Sequence, residues 1–316
     1  MANAVQASST SRNQRREWRG IAVFLAGGLL SFIPALAPDA HAAATEDPVR
    51  TELFADVSAV AAGQPFKVGV LFHIAPEWHI YWKYPGDAGL PTSVTFELPK
   101  GFVASELEWP LPQSFTQPGD VVGYGYTESV MLMANVTPPK NLPAGTEFPI
   151  RAKVQWLSCR NVCRPGRAEL NAKLAAAPQP APADEKLFKE WTTRLPRQWT
   201  AADDLRAVAV ASDQLPSNGG AKFSIALDWK KPPSKVECFP APTEALITDR
   251  PSVNTSGNRT EIVITVRRSG VPAGGAGVGT ADQLECLVEF TLSDGKPAGF
   301  PVSLQLPAGN AARSKP

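Results

Sequence analysis

The stretch that most constrains this chain is Gln155-Trp156-Leu157-Ser158-Cys159-Arg160-Asn161-Val162-Cys163-Arg164-Pro165-Gly166-Arg167, where two cysteines close a short connection between two alternating runs. Before it, Ile150, Ala152, Val154 and Trp156 alternate with Arg151, Lys153 and Gln155. After it, Ala168, Leu170, Ala172 and Leu174 alternate with Glu169, Asn171 and Lys173. A period of two belongs to a strand with one buried face, so the stretch predicts two antiparallel strands joined by a turn. Opposed Cα atoms in such a pair lie roughly 4.5–5.5 Å apart, within the span of a disulfide. Arg160, Arg164 and Arg167 surround the sulfurs, and nearby positive charge favours a thiolate over a thiol. Two readings follow. One is a redox-active dithiol that attacks a partner's disulfide. The other is a staple, although so short a closed loop gives it little entropic benefit.

The rest of the chain reads as the mounting for this turn. Phe66, Val68, Val70, Phe72 and Ile74 alternate, as do Val94, Phe96 and Leu98, and Val130, Leu132, Ala134 and Val136. With the strands beside the cysteines, residues 46–177 hold seven or eight short strands, the number of an immunoglobulin-like sandwich. Residues 178–200 form a proline-rich linker and a short helix. Asp184 is its expected cap, Leu187, Trp191 and Leu195 its apolar face, and Pro196 its end. Alternation resumes in Phe223, Ile225, Leu227 and Trp229, and in Leu284, Cys286, Val288 and Phe290. Residues 201–306 are therefore a second β-sandwich, and 307–316 a frayed tail. The fold class is all-β: two immunoglobulin-like β-sandwich domains joined by the linker and helix.

Residues 1–42 read as a signal peptide. Arg12, Arg15, Arg16 and Arg19 precede the apolar run Ile21 to Ile33, and Ala40-His41-Ala42 is a small-x-small cleavage site. No later run approaches the ~20 apolar residues that span a membrane, so the expected location is the periplasm. The formal net charge of +1 gives no support to nucleic acid as a partner. All four cysteines fall in the exported part, where an even number points to disulfides. Cys159–Cys163 with Cys238–Cys286 is the simplest pairing. Cys238 and Cys286 lie on apolar faces, which favours a structural disulfide across the second sandwich over two buried thiols.

Other constellations are weaker. His73 lies opposite Phe72 and reads as a surface or capping residue, and His73 and His79 with the cysteines make a poor zinc pattern. Met131 and Met133 share a strand face and read as packing before copper(I) ligation. Gly274 to Gly279 sits between strands with no helix after it, so it is a hairpin loop rather than a phosphate cradle. No hydrolase arrangement is legible, and no cofactor or metal is expected.

Three stretches in order carry a resemblance. They are Trp78-His79-Ile80-Tyr81-Trp82-Lys83-Tyr84-Pro85-Gly86-Asp87 with Gly89-Leu90-Pro91, then Gly123-Tyr124-Gly125-Tyr126-Thr127-Glu128, then Trp156-Leu157-Ser158-Cys159 with Cys163 and Pro165-Gly166. Together they resemble the periplasmic N-terminal domain of the DsbD/ScsB protein-disulfide reductases, nearer the ScsB branch. The resemblance implies an immunoglobulin-like sandwich whose pair, Cys159 and Cys163, takes electrons from a membrane-embedded thiol conduit. It implies delivery to periplasmic thioredoxin-like or disulfide-isomerase-like proteins. It makes Gly119 to Glu128, with Tyr124 and Tyr126, an aromatic cap loop shielding the pair, and sets Tyr81 and Tyr84 beside the cysteines. Arg160 and Arg164 are the residues expected to tune their acidity, and Cys163 the attacking one. Relatives continue into membrane and thioredoxin-like domains, whereas this sequence has no Cys-x-x-Cys and needs a separate reductant. The alternative is a non-enzymatic two-sandwich periplasmic binding or adaptor protein with structural disulfides and a link to copper tolerance.

Overall fold

The computed structural model describes residues 47–200, 204–214, 220–243, 245–269 and 283–306. The expected signal peptide, the Gly274–Gly279 loop and the tail lie outside the described residues. The described residues fall in one compact unit.

The strands follow in order. They are β1 (Val49–Ala55), β2 (Val57–Val60), β3 (Phe66–Ile74), β4 (His79–Gly86), β5 (Ser93–Glu97) and β6 (Val103–Ala104). Then come β7 (Gln113–Gln117), β8 (Val121–Tyr126), β9 (Ser129–Thr137), β10 (Glu147–Cys159), β11 (Cys163–Ala176) and β12 (Ala181–Pro182). Helix α1 (Glu185–Thr192) leads to β13 (Leu205–Gln214), β14 (Ala221–Trp229), β15 (Val236–Ala241) and β16 (Leu246–Thr248). Last are β17 (Ser252–Ser256), β18 (Arg259–Arg268), β19 (Gln283–Thr291) and β20 (Pro297–Gln305).

One sandwich pairs a sheet β1-β3-β9-β6 with a larger sheet β12-β2-β11-β10-β4-β8-β7, to which β5 adds through β10. The alternation around the cysteines is realised residue by residue: along β10, Phe148, Ile150, Ala152, Val154 and Trp156 are buried and the residues between them exposed. Phe72 of β3 meets Trp156 of β10 edge to face at 5.9 Å, closing the two sheets. The second sandwich sets β13-β14-β18-β16, with β17 also on β18, against β15-β19-β20. Trp229 and Phe290 touch across it at 4.9 Å.

The sheet β15-β19-β20 is covered on both faces. Cys238, Cys286, Val288 and Phe290 point into the second core, while Phe239 and Leu287 join the core of the first sandwich. Phe239 lies 6.1 Å from Trp82 and 5.0 Å from Tyr124. Burying a side chain of this size removes it from water at a gain of roughly 1.5–3 kcal/mol, so Phe239 is a principal bond between the sandwiches.

The connection differs from expectation in two ways. The proline-rich segment is not a bare spacer, because Ala181 and Pro182 pair with β2 as an edge strand. The helix ends at Thr192 rather than at Pro196, and Asp184 holds the cap position in the left-handed region at φ 48 with no side-chain cap bond. Its buried face is Phe188 and Trp191, with Leu187 and Leu195 packed at the margin. Spacing three thus prevails over the spacing of four, because Phe188 offers the larger apolar surface.

Candidate redox site

The β10–β11 hairpin is in register from Glu147↔Ala175 to Cys159↔Cys163. Trp156 stands opposite Gly166, and a Cβ at Gly166 would lie 2.1 Å from its indole. Only glycine admits that ring over the backbone, which is the local reason for the Pro-Gly after the cysteines. The two cysteines are bonded, with Sγ–Sγ 2.03 Å and Cα–Cα 4.2 Å. Their exposures are opposite: Cys159 is 1% exposed, whereas Cys163 is on the surface. Ser158 Oγ donates to the Arg164 carbonyl at 3.1 Å, tying the strand ends below the bond.

Beyond its pairing with β11, the end of β10 pairs with β4, Cys159 opposite His79 and Ser158 opposite Ile80. Opposed residues project to the same face of a sheet, so His79 is the side-by-side neighbour of Cys159. Tyr81, two residues on, shares that face. Its hydroxyl lies 3.4 Å from His79 Nε2 and accepts from Gln117 Nε2 at 3.0 Å. Phe115 of β7 lies over the imidazole, ring centroids 4.0 Å apart. His79 is buried, and that desolvation lowers its pKa below the ordinary histidine value.

At the rim stands Trp78. The Arg160 guanidinium lies 5.5 Å and the Arg164 guanidinium 5.3 Å from its ring centroid, and Arg160 also reaches Glu77 at 3.2 Å. The sequence-expected arginines are thus held on an aromatic surface next to the turn. Chemically, the arrangement offers an attacking group one sulfur, Cys163, while the electron pair leaves on the other, in a protected place.

Several expected site residues are placed elsewhere. Tyr124 and Tyr126 belong to β8, whose Tyr126 pairs with Ile80 and Gly125 with Tyr81. They therefore occupy the face opposite Cys159 and His79. Tyr126 donates to the Pro110 carbonyl at 2.8 Å, and Tyr124 packs on Phe239. Burial raises both hydroxyls, that of Tyr124 to about 12. They are core and inter-sandwich residues, not a shield over the sulfurs.

The neighbouring glycines serve close approach rather than mobility. A Cβ at Gly125 would lie 2.0 Å from the Ile80 carbonyl oxygen, and one at Gly123 2.2 Å from the Phe115 ring. Tyr84 is likewise away from the cysteines. It packs on Trp82 at 5.3 Å and lines a cleft of ≈ 360 Å³ with Trp109, Phe239 and Glu285. Tyr81 alone of the four tyrosines lies in the cluster beside Cys159.

Cys238 and Cys286 are bonded and buried, but the bond does not cross the sandwich. Cys238 pairs with Val288 and Pro240 with Cys286, so it links neighbouring strands β15 and β19 within one sheet. His73 lies 3.0 Å from Glu52 on the outer sheet, as a surface residue should. Met131 and Met133 are fully buried and fill the space above Gly69. Among the described residues no group of three or more His, Cys, Asp or Glu is placed to hold a metal ion, and no helix is long and apolar enough to cross a membrane.

Sequence reading missed His79, Phe115, Gln117 and Trp78. The i, i+2 pair His79–Tyr81 was a legible signal of a shared face, but not that the face adjoins Cys159.

Residues 46–175 match the family described as "Thiol:disulfide interchange protein DsbD, N-terminal". Among solved structures, the N-terminal periplasmic domain of ScsB from Proteus mirabilis superposes with a TM-score of 0.59 at 20% identity, covering 83% of this chain and 95% of that one. A protein of unknown function from Porphyromonas gingivalis W83 covers 82% of this chain and 100% of that one, at 12% identity and a TM-score of 0.22, too low to carry an argument. No curated protein matches. Residues 46–175, with the cysteine hairpin at their end, are thus similar to the DsbD N-terminal thiol:disulfide interchange domain, and the fold is that of the ScsB N-terminal domain.

Proposed function

We propose that this chain is a periplasmic thiol–disulfide exchange protein that relays reducing equivalents through Cys159 and Cys163. It takes them from a membrane-embedded thiol conduit and gives them to oxidised thioredoxin-like or disulfide-isomerase-like proteins. The observation that carries this reading is the asymmetry of the bond: Cys163 is exposed while Cys159 is 1% exposed. An exchange disulfide needs one sulfur open to in-line attack and one that resolves the mixed disulfide. A staple needs neither. The family match supports the chemistry.

In the reduced protein, the Cys163 thiolate attacks a partner's disulfide sulfur, and Cys159 then attacks Cys163 Sγ to release the reduced partner. Arg160 and Arg164 supply positive charge near the attacking sulfur.

The deciding experiment is the reduction potential of Cys159–Cys163, from thiol labelling across a glutathione and dithiothreitol series. The expected value is about −200 to −270 mV with fast exchange. A value well below about −300 mV with slow exchange would make the bond a staple and the chain an adaptor.

A further inference from the structure

We propose that His79 is the proton-holding partner of Cys159: when the disulfide opens, the thiolate left on Cys159 is balanced by an imidazolium on the facing strand. This rests on the exchange reading above and adds to it the acid–base group of the buried sulfur.

The placement is specific. His79 and Cys159 are directly opposed in the β4–β10 pair, so both side chains stand on one face with Cβ atoms about 4.5–5.5 Å apart. The imidazole is buried. Its other neighbours are Tyr81 of its own strand and Phe115 of β7, with Gln117 of β7 bonded to the Tyr81 hydroxyl. The charged groups nearest in the chain are Glu77, Arg160 and Arg164, gathered at Trp78 on the rim. A thiolate stranded on Cys159 therefore has, directly opposed to it among the described residues, an imidazole able to become a cation. While the disulfide is intact the imidazole is neutral, because burial penalises its charged form. A new anion beside it reverses that balance.

The step conserves atoms and electrons. A partner thiolate attacks Cys163 Sγ, forming the intermolecular S–S bond. The Cys159–Cys163 bond breaks and its electron pair leaves on Cys159 Sγ, while His79 takes one proton from water. In the return step the Cys159 thiolate attacks Cys163 Sγ, the partner thiolate departs, and His79 gives its proton back to water. The same arrangement follows when the reduced pair attacks an oxidised partner, since Cys159 must again become a thiolate to resolve the mixed disulfide.

The test is a proton NMR titration of the His79 ring in the unaltered protein, oxidised and then reduced, with His73 of the outer sheet as internal reference. The His79 midpoint is expected to rise by roughly 1–3 pH units on reduction, as for an opposite charge at this separation. A midpoint unchanged between the two states overturns the proposal. In a second measurement, the ultraviolet thiolate absorbance of Cys159 is titrated in a Cys163→Ser background with and without His79→Gln. Loss of the imidazole should raise the thiol midpoint by roughly one unit or more, and coincident curves would again overturn the pairing. The two readings fail separately. Fast exchange with an unmoved His79 removes only the proton-holding role, whereas slow exchange with a shifted His79 removes only the relay.

Discussion

The two disulfides of this chain use the same bond for opposite ends. Cys159–Cys163 joins residues separated by 4 in sequence and Cys238–Cys286 residues separated by 48. The first sits at the turn of a hairpin, with one sulfur exposed and aromatic and basic groups around it. The second lies inside a sheet covered on both faces, among Val288, Phe290 and Phe300. Loop length governs how much a crosslink restricts the unfolded chain, while exposure governs whether it can be attacked. The two properties are divided here, each to one bond. A disulfide's role is thus read from its surroundings more than from its geometry.

The largest effect that tests this division is on exchange. Replacing Cys163 with Ser should reduce reaction with an external disulfide to background, since the thiol it frees, Cys159, is buried and Cys238 and Cys286 stay bonded to each other. Replacing Cys238 and Cys286 with Ala should leave the exchange rate of the folded protein within a factor of about two. A rate that followed the second pair instead would break the comparison.

Stability should show the reverse order. Chain-entropy reasoning assigns about 4 kcal/mol to the closed loop of separation 48 and about 2 kcal/mol to that of separation 4. Denaturant unfolding of the two double alanine variants measures both. A Cys159/Cys163 variant that lost the more would return the hairpin bond to a structural role.

A pH effect belongs to the buried sheet. Glu289 of β19 faces the first sandwich with its Oε2 buried and without a hydrogen-bond partner among the described residues. Burial, reinforced by Glu237 and opposed by Lys235, raises its carboxyl to about 8. Because the folded value lies above the unfolded one, the native state holds the extra proton between pH ~4.5 and ~8. Stability should therefore fall across that window as pH rises, by at most about 1.4 kcal/mol per unit. Glu289→Gln should flatten the profile and raise stability near pH 8. An unchanged slope in thermal melts across the window would place the carboxyl in water.

The smallest effect concerns the rim. Arg160→Gln with Arg164→Gln should slow exchange severalfold at low salt and much less at high salt, because exposed charges are screened. A loss independent of salt would mean that the arginines act by packing on Trp78, not by charge.

Part of the site was open to reading from the sequence because it is local. The hairpin, its bond and the alternating faces of β10 and β11 follow from neighbours within one stretch. The glycine pattern at Gly123 and Gly125 was equally visible but ambiguous. Glycine serves mobile loops and close backbone approach alike, and only the contacts with Phe115 and Ile80 decide for the second. The tyrosines failed for a related reason. A strand's two faces are equivalent in sequence, so the alternation puts Tyr124 and Tyr126 on one face without saying which.

By itself, then, the sequence determined the all-β class, the cysteine hairpin and the apolar face of each long strand, since a period of two encodes those within a few residues. The tertiary structure decided what depends on register between distant strands. It set His79 rather than a tyrosine of β8 beside Cys159, made Cys163 the accessible sulfur, turned the second disulfide within its sheet, and buried β15-β19-β20 against the first sandwich. Those facts reside in pairings such as Cys159↔His79 and Pro240↔Cys286. Such pairings are fixed by the packing of a whole core, and no single stretch of the chain carries them.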